Sequence, residues 1–205
     1  EPTGKIGTLI KSSPALPLNL RETLDTSGQT IRSEWLDAND RLTDPPQGAA
    51  RTDQKRNAKG NVVEVQYFRA DGQPFYQPDG YAGYRQEISP RGLVSRRTYT
   101  NGNGAPVTTA QGYASLSVTF DQRGREISQS YFGTDGLPAE KNNGVSSFRT
   151  HYSDLRTRAA QLFFNSKGDF IGYFSVYKDI QKAAYEAGDR DQLTQSLSAS
   201  LEAAE

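Results

Sequence analysis

The chain has 205 residues, 34% of them hydrophobic and 10% aromatic. That length allows one or two domains, but the apolar content is low for one thick core. Lys plus Arg and Asp plus Glu each number 24, which excludes a global attraction for nucleic acid or anionic membrane.

Cysteine and methionine are absent, which removes disulfide and thiolate–metal chemistry. No apolar run is long enough to cross a bilayer, and no secretory leader pattern is present. The sequence opens on Glu1 and is expected to be an excised or processed piece of a longer product.

Residues 1–17 hold Pro2, Pro14 and Pro17 with Gly4 and Gly7. They read as an extended or mobile lead-in, because proline and glycine both work against regular structure. From about Leu18 to residue 176 the chain repeats itself. Glycines at 28, 60, 92 and 124 keep a step of 32 residues, as do those at 72, 104, 136 and 168 and those at 48, 80, 112 and 144. Prolines 74, 106 and 138 follow the same period, as do Trp35, Tyr67, Tyr99, Tyr131 and Phe163. One period shared by several residue types marks a tandem array, here of five copies.

Each copy reads as a β-hairpin. In residues 113–144, Leu116, Val118 and Phe120 alternate with polar residues before the glycine, and Ile127 and Tyr131 share one parity after it. A period of two buries one face of a strand. A two-residue primed turn at Arg123-Gly124 sets Phe120 opposite Ile127 and Leu116 opposite Tyr131. Carried along the period, it pairs Leu20 with Trp35, Thr52 with Tyr67, Tyr84 with Tyr99 and Phe148 with Phe163. A three-residue loop with a bulge would set Thr119 against Ile127 and mix the faces, so the two-residue loop is preferred. A lone hairpin buries few large side chains, at about 1.5–3 kcal/mol each, against about 1–2 kcal/mol of entropy per ordered residue. Neighbouring copies must therefore cover one another.

The copies are unequal. The first has Asp40 in a glycine position, and the fifth has Arg156 in another. The second places Thr52 and Arg56 at apolar positions and is expected to be the least stable, or to be covered by something else. FIGYFSVY, residues 170–177, reads as a last strand serving as a cap. Residues 177–205 are rich in Ala, Gln, Leu and Glu without Pro. They read as a helix broken near Gly188-Asp189, with Leu193, Leu197 and Leu201 as an apolar stripe. That stripe would cap the sheet end or dock a partner domain. The expected class is mainly β: tandem 32-residue antiparallel β-hairpin repeats forming an extended sheet, with a C-terminal capping helix.

The run FDQRGREISQSYFGTDGLP at 120–138, with Gly-Tyr-Ala at 112–114, resembles tandem β-hairpin repeats of bacterial envelope proteins. It is more loosely similar to YD/RHS, cell-wall-binding and MORN repeats. The resemblance covers about residues 18–170 and implies an extracytoplasmic setting, periplasmic or cell-surface. The period is longer than a YD or MORN unit. Trp35 is the single tryptophan, so the aromatic ligand cups of choline-binding modules do not carry over.

Candidate chemistry is sparse. His151, the single histidine, shares a column with Thr23, Lys55, Glu87 and Thr119 and reads as a solvated polar residue. No Gly-x-Ser-x-Gly elbow accompanies it. Asp37-Ala-Asn39-Asp40-Arg41 imitates a calcium loop but puts a cation where an oxygen ligand is needed, so it reads as a turn. No catalytic residue, metal or cofactor is expected. Arg21, Arg85 and Arg149 share a polar column, with Arg96 and Arg97 nearby, and Arg85 and Arg149 are candidates for contact with an acidic partner. Tyr76, Tyr81 and Tyr113 fall between hairpins, where a ring suits sugar stacking, protein contact or core filling.

The expected function is a non-enzymatic binding or scaffold module engaging an envelope protein or polysaccharide. A protein partner is favoured by the scarcity of tryptophan and by the C-terminal stripe. The alternatives are an extracytoplasmic sensor or accessory domain of a membrane protein, and a glycan-active enzyme. The last requires an acidic cleft with a raised carboxylate pKa.

Overall fold

A computed structural model describes residues 6–9, 18–152 and 158–175. Twelve strands run through them: β1 (Ile6–Leu9), β2 (Asn19–Leu24), β3 (Thr30–Leu36), β4 (Arg51–Arg56), β5 (Val62–Phe68), β6 (Gly83–Ile88), β7 (Val94–Thr100), β8 (Ser115–Phe120), β9 (Glu126–Phe132), β10 (Ser147–Tyr152), β11 (Arg158–Phe164) and β12 (Phe170–Ser175). Strand order in the sheet is the order of the chain, so the fold is a tandem array of antiparallel β-hairpins. The chain forms two compact units, Glu1–Ser115 and Leu116–Glu205, each described by itself.

All three glycine sets build one kind of turn. In the hairpin turn of the third copy, the Ser89 amide donates to the Leu93 carbonyl at 2.8 Å and the Gly92 amide to the Ser89 carbonyl at 2.9 Å. The same two bonds recur after β3, β5, β7, β9 and β11 and again before β6, β8 and β10. The fourth residue is left-handed, with φ of 82° at Gly92. A side-chain oxygen fixes most of these turns. Asp25 Oδ1 accepts the amides of Ser27 and Gln29 at 2.8 and 2.9 Å, and Asp37, Asn57, Asn101, Asp121 and Asn165 do the same for theirs. Where the first residue is Arg69 or Gly133, an aspartate two positions on takes over: Asp71 for the Gln73 amide, Asp135 for that of Leu137. Such local bonds favour turns over helix or ladder.

This turn corrects the two-residue primed loop. A type I′ turn needs positive φ at both central residues, and among the described non-glycine residues only Asp40 has it. The loop is three residues long, ending on the left-handed glycine. Next to the turn the expected register is off by one, Leu24 facing Thr30 and not Ile31; beyond a bulge it survives for another reason. Ile88 faces Val94 while Glu87 faces Arg96, so Ser95 is an extra residue on the second strand. That bulge restores the count, and Leu20 faces Trp35, Thr52 faces Tyr67, Tyr84 faces Tyr99 and Phe148 faces Phe163.

Each second strand serves two neighbours. The first half of β5 pairs with β6, Glu64 with Arg85 and Val65 with Tyr84. Its end meets the arm that returns after the next turn, where Phe68 bridges Pro74. The branch falls on Tyr67, whose amide donates to the Ala82 carbonyl and whose carbonyl accepts the Phe75 amide, both at 2.9 Å. Trp35, Tyr99 and Tyr131 branch in the same way, toward Ala50, Ala114 and Ser146. Three segments converge there and leave no room for a large side chain. Ala50 and Ala114 are 0% exposed, and Ala82 and Ser146 3%.

The second unit ends differently. Arms that begin at Leu42, Pro74, Pro106 and Pro138 make a single bridge before the next glycine turn. The equivalent residue of the fifth copy is Phe170, and the next glycine position holds Val176. There the arm runs on as β12 and pairs along β11, from Phe164 with Phe170 to Ala160 with Ser175. Leu162, 2% exposed, packs with Phe164, Phe170 and Tyr173. The expected class is therefore corrected: the described residues are all β, with no helix among them. The last strand expected at residues 170–177 is present as β12 and covers β11 with aromatic residues, which suit a pleated surface. Residues 177–205, and Arg156 with its turn, lie outside the described residues. Within the expected lead-in, β1 pairs with β2, Ile6 with Thr23 through Leu9 with Leu20.

Candidate functional site

The first unit carries a ladder of tyrosine rings. Tyr67 and Tyr99 come from the branch points, and Tyr81 and Tyr113 from the glycine turns before β6 and β8. Ring centroids are 6.4 Å apart for Tyr67–Tyr81, 4.8 Å for Tyr81–Tyr99 and 6.0 Å for Tyr99–Tyr113. Tilted rings at such distances contribute about 0.5–1.5 kcal/mol per pair beyond burial. Burial, then neighbouring Tyr84 and Tyr81, push the Tyr67 phenol up to about 12. Burial also raises Tyr81, with Tyr99 and Asp79 adding to it. Both hydroxyls therefore stay protonated and able to donate at neutral pH.

Arg97 stands beside this ladder. Tyr84 faces Tyr99 and Gln86 faces Arg97, so these four lie on one side of the sheet, while Arg85, Glu87 and Arg96 lie on the other. The Arg97 guanidinium donates from Nε and Nη2 to Gln86 Oε1 at 3.2 and 2.9 Å. It lies 4.6 Å from the Tyr84 ring centroid. Its charge opposes the rise at both Tyr67 and Tyr81. Other arginines find carboxylates: Arg21 with Glu34 at 3.0 Å, Arg32 with Asp53 at 2.7 Å and Arg125 with Asp121 at 2.6 Å. Among the described residues no carboxylate pairs with Arg97.

The expected site residues are not brought together. Tyr81 and Tyr113 belong to the ladder, and Tyr113 is 6% exposed, which is the core-filling role. Tyr76, 49% exposed, accepts the Gly102 amide on its hydroxyl at 3.3 Å. Arg85 is exposed on the opposite face and donates to the Gly104 carbonyl. Arg149 belongs to the second unit, its guanidinium 5.2 Å from the Phe164 ring. The backbone of His151 faces Ala160 in β10. Asp37 is a turn residue, its carboxyl held below the ordinary value by the amides of Arg41 and Asn39. No group of three potential metal ligands occurs among the described residues, and no helix there is long and apolar enough to cross a membrane.

Sequence reasoning passed over Tyr84, Gln86 and Tyr67 as site residues and named Arg97 only in passing. The signal was there as departures from the period. Columns that hold Ser33 and Val65, and Leu20 and Thr52, become Arg97 and Tyr84 in the third copy, while Gln86 keeps the amide of Gln54. No protein-family model matches the chain, and a search of curated proteins finds no match.

Proposed function

We propose that the chain is a non-enzymatic binding or scaffold module of the bacterial cell envelope, holding its partner against the tyrosine-bearing side of the sheet. One observation carries this reading: the half-buried Tyr67, Tyr81 and Tyr99 rings, backed by buried Tyr113 and flanked by Arg97, set rings, hydroxyls and one cation together. Strands lie about 4.8 Å apart, so equivalent positions recur about every 9.6 Å, a layout suited to an extended partner that meets several columns at once.

The titrating groups support a binding role. The carboxyls with lowered pKa serve the fold. Asp37 caps its turn, and Glu140 is lowered first by the Ser166 hydroxyl and then by its amide. At Asp121, burial works upward but the Arg125 amide and side chain and the Arg123 amide outweigh it. The extracytoplasmic setting rests on the sequence resemblance to envelope repeats. The test is retention of the intact chain on immobilised envelope polysaccharides and envelope protein extracts, with assay for release of sugar or peptide ends. Saturable retention without product is expected. Retention on neither, or product release, would refute the proposal.

A further inference from the structure

We infer that Arg97, together with Gln86 and the rings of Tyr84 and Tyr81, forms a subsite for the carboxylate of an acidic polysaccharide; this rests on the binding reading above and names its partner. Charge is the first argument. Arg97 is partly buried among Tyr67, Tyr81, Tyr84 and Tyr99 without a carboxylate, and Gln86 uses only two of its five donors. A guanidinium presents a planar fork that matches a carboxylate, and the protonated hydroxyls of Tyr67 and Tyr81 add donors alongside it.

The second argument is the repeat itself. The fold is held at the Tyr84 column by Leu20, Thr52 and Phe148 in their registers, and at the Arg97 column by Ser33 and Val65. Neither column needs a tyrosine or an arginine for the hairpin. Two departures in one copy, Arg97 and Tyr84, put a cation and a tyrosine ring beside an amide that Gln54 also supplies in the second copy, a combination the other copies lack. The third copy, residues 81–112, also carries Arg85, Arg91, Arg96 and Arg97 against Glu87 alone, a local excess of positive charge in a neutral chain.

Chemistry separates sugar from peptide. A peptide brings backbone donors and acceptors that bind best along an open strand edge. Here β6 is an interior strand, paired with β5 and β7, and its face offers rings and one cation. A sugar acid needs a ring for its C–H face and a cation for its carboxylate, and both are present.

The experiment is affinity electrophoresis of the whole chain through gels containing polygalacturonate, neutral dextran or poly-glutamate. Polygalacturonate is expected to retard the wild type, with Arg97→Gln weakening binding by about tenfold or more. Gln86→Glu should weaken it as much by giving Arg97 an internal carboxylate; because it also removes the Gln86 Nε2 bond to the Val62 carbonyl at 2.8 Å, its urea midpoint is measured beside the wild type's. Lys59→Gln, at an exposed turn tip, should change nothing. Equal retardation of the wild type and both site variants would overturn the subsite. Sensitivity to Arg97→Gln on poly-glutamate but not on polygalacturonate would overturn the sugar assignment. Retention on envelope fractions without any on polygalacturonate would overturn this inference and leave the binding module standing.

Discussion

The Glu140 carboxylate accepts both the amide and the hydroxyl of Ser166, at 3.0 and 2.6 Å. It joins the arm of one copy to the turn of the next. Equivalent positions are joined in the first unit, where Asp44 accepts the Ala70 amide at 2.8 Å and the Tyr76 hydroxyl that of Gly102 at 3.3 Å. An oxygen at this column ties copies together whether it comes from Asp, Tyr or Glu. The last arm has Gly172 there, which has no side chain to offer.

This joint makes the second unit sensitive to acid. The Ser166 hydroxyl, then its amide, hold the Glu140 carboxyl below the ordinary glutamate value. Its contribution is thus full above the unfolded-state pKa and disappears as pH falls through the lowered folded value. Protection of the Ser166 amide against hydrogen exchange is expected to drop in that acid window. Glu140→Gln should remove the dependence, and a wild-type profile as flat as the variant's would contradict the joint.

Alkali acts on the first unit. Tyr67 has its folded pKa raised to about 12 from the ordinary 10.0. Its contribution is full below 10.0 and declines as pH rises through the folded value. Tyr67→Phe is expected to flatten the alkaline limb of the stability curve between those values. An unchanged limb in urea titrations would exclude a buried Tyr67 hydroxyl.

Glycine substitutions should separate crowding from backbone strain. A Cβ at Gly83 would sit 2.4 Å from the Val65 carbonyl oxygen and 3.2 Å from Thr100 Oγ1. Gly83→Ala should cost about 1–3 kcal/mol by overpacking. Gly92 has open space but φ of 82°, so Gly92→Ala should cost about 1–2 kcal/mol from left-handed strain alone. Gly92→Asn should cost less, because asparagine tolerates that region. Urea midpoints of the three variants give the order.

Asp40 sits in the glycine column with φ of 58°. Asp40→Gly relieves that strain and gives back part of the gain as unfolded-state entropy. A net stabilisation of up to about 1 kcal/mol is expected in thermal or urea unfolding. A destabilised variant would show that the Asp40 side chain contributes more than its strain costs.

Much of this fold was legible in residue spacing. The glycine period located the turns but not their type, since a left-handed residue is nearly always glycine, and the aromatic parity set the pairing of Leu20 with Trp35 and Tyr84 with Tyr99. The turn length was not legible, because a three-residue loop plus a bulge gives the same register as a two-residue loop. The second copy shows another gap. Arg56 stands where the pattern asks for an apolar residue, yet its guanidinium is held by the Thr30 and Gly60 carbonyls and by Gln54 Oε1. The candidate site was the least legible part. Tyr81 and Tyr99 lie far apart in sequence, and Arg97 looked like one more polar residue on a strand.

The amino-acid order alone determined the 32-residue period, the turn glycines and which side chains share a strand face, because these follow from local backbone sterics and a pleat of period two. Only the tertiary structure decided that one strand branches between an arm and the next hairpin, that Ala50, Ala82 and Ala114 fill the crossing, and that Arg97 meets Tyr84 and Gln86. Those contacts depend on how neighbouring copies pack, and packing joins residues that no local rule relates.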